Sequence, residues 1–203
     1  MKNVHFNEDQ LSNDGEFAIT PPFVAECELT GVCPILFHRW SCEDVELKAK
    51  AVKNSKIKKT DNTESYLYRD GDGMICLPSE SVRQAIIAAA KYQQDPRSPR
   101  KSACDLFKAG VVTLNELAPL GVTEPDLLDR RRVCVQRAAI TRTRPALKEG
   151  WQATVVIQIL LPEYISPGLL HRVLIDAGRL VGVGDFRPSY GRFQVTKFAL
   201  LEN

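Results

Sequence analysis

Gly178-Arg-Leu-Val-Gly-Val-Gly-Asp-Phe-Arg-Pro-Ser-Tyr-Gly-Arg192 sets Gly178, Gly182, Gly184 and Gly191 among Arg179, Arg187, Arg192, Phe186 and Tyr190. Glycine lacks a Cβ, so such a segment takes positive φ and brings bare amides close to a ligand. Consecutive amides in a loop form an anion-binding concavity. The planar fork of arginine suits phosphate, and an aromatic ring offers a face to a base. The stretch therefore reads as a nucleic-acid contact through Gly182, Gly184, Arg187, Tyr190 and Arg192. The competing reading is a long turn whose glycines only satisfy geometry.

On its N-terminal side, Ser166-Pro167 opens a helix, with Ser as cap and Pro at the first helical position. Leu170, Val173, Leu174 and Ala177 form its apolar stripe. On its C-terminal side, Phe193-Gln-Val-Thr-Lys-Phe-Ala-Leu200 reads as a closing strand. Further upstream, Trp151, Ala153, Val155, Ile157 and Ile159 alternate with Gln152, Thr154 and Gln158, the period of a half-buried strand, and Pro162 stops it.

Before that strand lies Arg130-Arg-Arg-Val-Cys-Val-Gln-Arg-Ala-Ala-Ile-Thr-Arg-Thr-Arg144, a strand or hairpin crowded with arginines. Like charges at this density call for an anion or for acidic neighbours. Phosphate contact through Arg132, Arg137, Arg142 and Arg144 is one reading. Pairing with Asp126, Asp129 and Glu149 is the other.

The first half is read as follows. Residues 1–22 are a polar arm ending at Pro21-Pro22, and 23–30 alternate as a strand with Phe23, Ala25, Cys27 and Leu29 on one face. The run 41–70, with Lys48, Lys50, Lys53, Lys56, Lys58 and Lys59, reads as an insertion, either a solvated helix or mobile excursion, or a flexible basic finger on a polyanion. Tyr66-Leu-Tyr68 and Met74-Ile-Cys-Leu77 flank Arg69-Asp-Gly-Asp-Gly73, a hairpin signal. Ser79 caps a helix that runs to about Tyr92 on Val82, Ile86, Ala89 and Ala90; Arg83 and Lys91 lie away from that stripe, read either as reaching a ligand or as ordinary solvated cations. Residues 93–102 read as a loop, 110–114 as a strand and 117–129 as mostly connection.

This order predicts an α+β fold: a ferredoxin-like, RRM-like antiparallel sheet with two helices, a glycine-rich loop near the C-terminus and an inserted basic segment. One domain is expected over 23–203. Sheets of this kind present an open face to single-stranded RNA.

The bulk numbers fit a single globular unit: 203 residues, 44% hydrophobic, 26% charged. A net charge of +2 means that any polyanion site arises from local clustering. No apolar run has the length of a membrane span and the N-terminus lacks a signal-peptide core, so a cytoplasmic protein without membrane contact is expected. The six cysteines show no C-x-x-C pair and read most simply as reduced core thiols, with disulfides the alternative that the spacing does not demand.

The glycines do not spell a dinucleotide fingerprint, since Arg187 stands where G-x-G-x-x-G needs glycine, and no phosphate-loop run G-x-x-x-x-G-K-[ST] occurs. His5, His38 and His171 are isolated, so no metal and no cofactor are expected. His38 is the one catalytic candidate. With Arg39 or a lysine at the scissile phosphate, it would activate a 2′-hydroxyl, assisted by Tyr190. A passive loop histidine is the reading set against it.

Three segments carry a family resemblance. Gly182-Val-Gly-Asp-Phe-Arg-Pro-Ser-Tyr-Gly-Arg-Phe193, between a helix and a last strand, resembles the glycine-rich loop of the RAMP superfamily of CRISPR-associated proteins. Leu77-Pro-Ser-Glu-Ser-Val-Arg-Gln-Ala85 resembles the opening of the first helix in that superfamily's backbone subunits. Arg137-Ala-Ala-Ile-Thr-Arg-Thr-Arg-Pro145, leading into Trp151-Gln-Ala-Thr-Val-Val-Ile157, resembles their central strand pair. The resemblance implies an RRM-like domain that holds guide RNA along its phosphates. Copies of the chain and other CRISPR effector subunits would be its partners in an antiviral ribonucleoprotein. It also places His38 where related guide-processing ribonucleases carry a general base, and Glu43 and Asp44 where cleaving backbone subunits carry an acidic residue. The chain is short for such a subunit. A phage or mobile-element mimic, or a decoy that binds protein and not RNA, stays open beside it.

Overall fold

The computed structural model describes residues 21–52, 55, 62–135 and 138–201. Most of the expected arm, part of the lysine-rich run and Arg137 lie outside the described residues.

Strand β1 (Phe23–Gly31) is central. Its alternate residues Ala25, Cys27 and Leu29 are fully buried, as the two-residue period requires. It pairs antiparallel with β10 (Gln152–Ile159) on one side and β11 (Phe193–Leu201) on the other, and β10 pairs with the short β6 (Val111–Thr113). The sheet order is β11-β1-β10-β6. Counted in chain order, its four strands lie 4-1-3-2, the ferredoxin-like arrangement. Two helices cover one face: α2 (Ser79–Ala89) and α4 (Pro167–Asp176). Val82, Ala85 and Ile86 of α2 and Leu170, Val173 and Leu174 of α4 close the core over Val155, Ile157 and Ile159. Ser166 caps α4 as expected, its hydroxyl accepting from the amide of Leu169 at 3.2 Å. The α+β antiparallel fold read from the sequence is the fold observed.

A second sheet runs β2-β9-β8, built from β2 (Ile35–Leu36), β9 (Ala138–Leu147) and β8 (Leu127–Val135). β8 and β9 form one long antiparallel hairpin. The helix α1 (Cys42–Lys50) follows β2 and buries no residue. Its Ser41 cap accepts from the Asp44 amide at 3.3 Å.

Four local expectations change. The 66–77 hairpin shrinks to a turn and a single bridge between Arg69 and Ile75. The strand β3 (Cys76–Pro78) pairs instead with β7 (Leu117–Pro119), so 117–129 is not mere connection. Ser79 does not cap α2. Its amide is drawn to the Glu116 carbonyl at 2.9 Å, which buries the hydroxyl without a hydrogen-bond partner, and Pro78 stands at the cap. Residues 93–102 are not loop but a small hairpin, β4 (Gln94–Asp95) with β5 (Ser98–Ser102), closed by the Asp95–Arg97 ion pair. A short helix, α3 (Cys104–Gly110), follows it and buries Leu106 and Phe107.

Candidate nucleic-acid interface

After α4 the chain makes a wider, π-type turn, Ala177–Val181, and enters the glycine-rich loop 182–192. Gly182, Gly184 and Gly191 all take positive φ. At Gly184 a Cβ would lie 2.7 Å from the Leu36 carbonyl oxygen, and at Gly191 1.7 Å from that of Val183. A side chain is excluded at Gly184 because the loop is pressed onto β2, and at Gly191 because the loop closes on its own Val183. The Asp185 amide donates to the Leu36 carbonyl at 2.9 Å, Gly191 to Pro34 at 2.8 Å and Val183 to Gly191 at 2.8 Å. Gly182, Phe186 and Arg192 likewise donate within the protein, to the Ala177 carbonyl, the Asp185 carboxylate and the Cys33 sulfur. The bare amides expected to meet an anion are thus largely engaged by the protein itself, and the glycines act through close approach.

The approach places the loop beside the arginine hairpin. In the β8–β9 register Asp129 faces Arg144 and Arg131 faces Arg142, so these four side chains share one side of the ribbon. Arg131 bridges hairpin and loop. Its guanidinium forks onto Asp129, with Nε to Oδ1 at 2.6 Å, and donates to the Tyr190 hydroxyl at 2.5 Å. It lies 4.7 Å from the Tyr190 ring centre and 5.0 Å from that of Phe186. The Asp129 carboxylate, and then the Tyr190 hydroxyl, hold Arg131 charged well above the ordinary guanidinium range. Phe186 sits at φ 62°, a left-handed conformation that a bulky residue adopts only when its surroundings impose it, and its ring is 41% exposed.

Arg144 is 6% exposed and forms an ion pair with Asp185. The contact is close but misaligned: Nε and Nη1 of Arg144 and Oδ2 of Asp185 complete no hydrogen bond. The same carboxylate oxygen lies 3.8 Å from His38 Nδ1. His38 meets the Tyr66 ring edge to face at 4.6 Å, and Arg142 donates to the Tyr66 hydroxyl at 3.3 Å. This side of the hairpin therefore holds three guanidiniums against two carboxylates, and its surplus of charge is small. Of the acidic partners read from the sequence, Asp129 pairs with Arg131, whereas Arg144 pairs with Asp185, which that reading did not name.

The other arginines divide. Arg132 is exposed on the opposite side of the hairpin, across from Thr141. Arg187 is exposed on the loop rim, beside a groove of about 670 Å³ that Lys91 and Tyr92 also line. Arg192 is exposed where the loop returns to β11. Among the described residues none of these three has a carboxylate partner. Arg39 lies over the Tyr68 ring at 5.5 Å. Arg83 is elsewhere: Nε and Nη2 donate to the carbonyls of Val111 and Lys108, at 2.7 and 2.8 Å, and Nη1 to Glu80. It caps the C-terminal end of α3. Arg137 lies outside the described residues.

The structure thus joins Gly182, Gly184, Tyr190, Arg142 and Arg144 in one site, with Arg39 and His38 next to it. Sequence reasoning missed Arg131, Asp185 and Tyr66. The signal for Arg131 was present, since Asp129-x-Arg131 on a strand places acid and base on one face. Among the described residues no three of His, Cys, Asp and Glu converge as metal ligands.

No protein-family model matches the chain, and no curated protein matches it. Among solved structures, one chain of the "Cryo-EM structure of the Type III-B Cmr-beta bound to cognate target RNA" superposes with a TM-score of 0.53 at 11% identity. The match covers 90% of this chain and 61% of that one, so this chain spans about three fifths of its neighbour's length. At that identity the likeness is one of fold: nine-tenths of this sequence folds as part of a Cmr-beta chain does.

Proposed function

We propose that this chain is a CRISPR-associated, RNA-binding protein of the RAMP type. It acts as a backbone subunit that holds guide RNA through its phosphates and stacks side by side with further copies and other effector subunits. The observation that carries this reading is the Arg131–Tyr190 contact. It fixes two partly exposed aromatic rings of the loop against the arginine hairpin, with Arg187 and Arg192 exposed on the same loop. Rings that stack bases and guanidiniums that follow phosphates are the two parts of a single-strand groove. The fold likeness to a chain of an RNA-bound complex supports the same reading.

The test is single-stranded RNA binding, followed by fluorescence anisotropy as a function of salt. Arg187→Ala and Arg192→Ala each weaken binding and flatten the slope of log K against log salt by about 0.7, one phosphate contact each. A protein that ignores RNA in dilute buffer, or unchanged slopes in both variants, overturns the reading.

One observation favours a second reading, cleavage of RNA through His38: a carboxylate, Asp185, stands 3.8 Å from its Nδ1, where it would orient the ring. Cleavage without metal that disappears in His38→Ala would replace the first reading with this one.

A further inference from the structure

Beside the loop–hairpin site, between β2 and the start of α1, lies a cavity of about 310 Å³. Its walls are apolar, from Trp40, Val45 and Tyr66, and its rim carries Arg39, Lys48 and Asp44. Trp40 is 74% exposed, at the far end of the scale for an indole, and Val45 beside it is 43% exposed. A large exposed ring at the mouth of an apolar cavity and flanked by cations is a surface on which a base can stack.

The carboxylate in the rim is oriented. Asp44 sits three residues after the Ser41 cap, the position from which an acidic side chain reaches back to the cap amide. Its oxygens turn the other way. Oδ2 accepts from the Ser65 hydroxyl, and Oδ1 from the Asn62 amide at 3.2 Å. The Ser65 hydrogen bond, with help from Asn62 and Lys48, holds Asp44 below the usual carboxylate range, so it is an ionised acceptor at neutral pH. A carboxylate offers about four acceptor positions, and two are used. The remainder suits a ligand with two parallel donors. Among the nucleobases the Watson–Crick edge of guanine, N1–H beside N2–H₂, presents such a pair, whereas adenine presents one amino group and uracil one imide. The cavity is at the small end of the ligand-pocket range of about 300–1,000 Å³, which suits one base, not a dinucleotide.

We infer that this cavity is a guanine-preferring site for a single unstacked base. The base stacks on Trp40, its Watson–Crick edge is read by the Asp44 carboxylate, and its phosphates are met by Arg39 and Lys48. The inference rests on the RNA-binding reading and deepens it, adding a sequence preference to an otherwise phosphate-directed grip.

The molecule supplies its own probe. Of its two tryptophans Trp40 is exposed, whereas Trp151 is buried with its indole N–H donating to the Cys33 carbonyl at 3.0 Å. Quenching of tryptophan fluorescence on titration therefore reports this cavity. The ligands are the RNA pentamers UUGUU, UUIUU, UUAUU and UUUUU, where I is inosine, which lacks the N2 amino group. The expected result is saturable quenching by UUGUU, with about tenfold weaker binding of UUAUU and UUUUU, the discrimination of one bidentate contact. UUIUU falls between them. Asp44→Asn abolishes the preference for guanine while leaving UUUUU binding unchanged. Trp40→Phe keeps the preference, read by anisotropy, and Trp40→Ala weakens all four pentamers, with the circular dichroism of each variant confirming its fold. Equal affinities for the four pentamers, or a guanine preference that survives Asp44→Asn, overturns the inference. If the pentamers bind with an Arg187-dependent salt slope but no quenching, the cavity assignment fails and the RNA-binding reading stands. If UUGUU quenches but longer RNA shows no such slope, the base site stands and the phosphate-gripping reading fails.

Discussion

Arg144 shows what a guanidinium does when it is buried and not offered to solvent. It is ion-paired to Asp185 under the Phe186 ring, with that ring centre 5.7 Å away. Removing one partner of a buried pair strands the other. Here Asp185 is about a third exposed and His38 stands by, so the loss is smaller than for a fully buried pair. Arg144→Ala is expected to lower unfolding stability by about 2 kcal/mol in urea titrations. In Arg144→Ala/Asp185→Ala the losses should add to less than the sum of the single variants. Strictly additive losses would show that the pair contributes no coupling. At this scale the sequence shows which residues are arginines and hides which are engaged. Arg83 and Arg144 look alike on paper, yet one caps helix carbonyls and the other meets a carboxylate 41 positions downstream. Of these partners only Glu80, three residues before Arg83, is close in sequence; the Val111 and Lys108 carbonyls and the Asp185 carboxylate follow no local pattern.

The hairpin β8–β9 is two-sided at the level of charge. One side is compensated through Asp129, and the other exposes Arg132. Asp129→Asn removes the negative charge that compensates Arg131, while the Tyr190 hydroxyl and the two rings still hold its guanidinium in place. RNA binding should then tighten, and its salt slope should steepen by about 0.7 as one more phosphate contact becomes available, while the melting temperature falls. A weaker complex would mean that the Arg131 orientation, not its charge, is what RNA requires. The elements with a continuous two-residue period, β1 and β10, were legible because each buries one face only. The helix Cys104–Gly110 was not: it has seven residues, and what holds it is Leu106 and Phe107 in the common core, a tertiary cause without a local period. The 66–77 hairpin was over-read because Asp-Gly fixes a turn but not the partner of the strand that follows, and β7 offered the better ladder.

At the scale of the molecule, the 4-1-3-2 sheet followed from the alternation of strands and helices, and the second sheet did not. Its strand β2 has two residues, and its partners Ala146 and Leu147 are more than a hundred positions away. That pairing decides how the glycine-rich loop is mounted. The loop is tied to Pro34 and Leu36, β2 is paired to β9, and Phe37 donates to the Pro145 carbonyl at 3.0 Å. Loop, short strand and arginine ribbon are riveted into one body. If this surface is where RNA docks, no shift of loop against ribbon among the described residues has to come before capture. Stopped-flow capture should be a single phase whose rate climbs in proportion to RNA concentration, slowed by salt and never levelling off at a ceiling set by the protein.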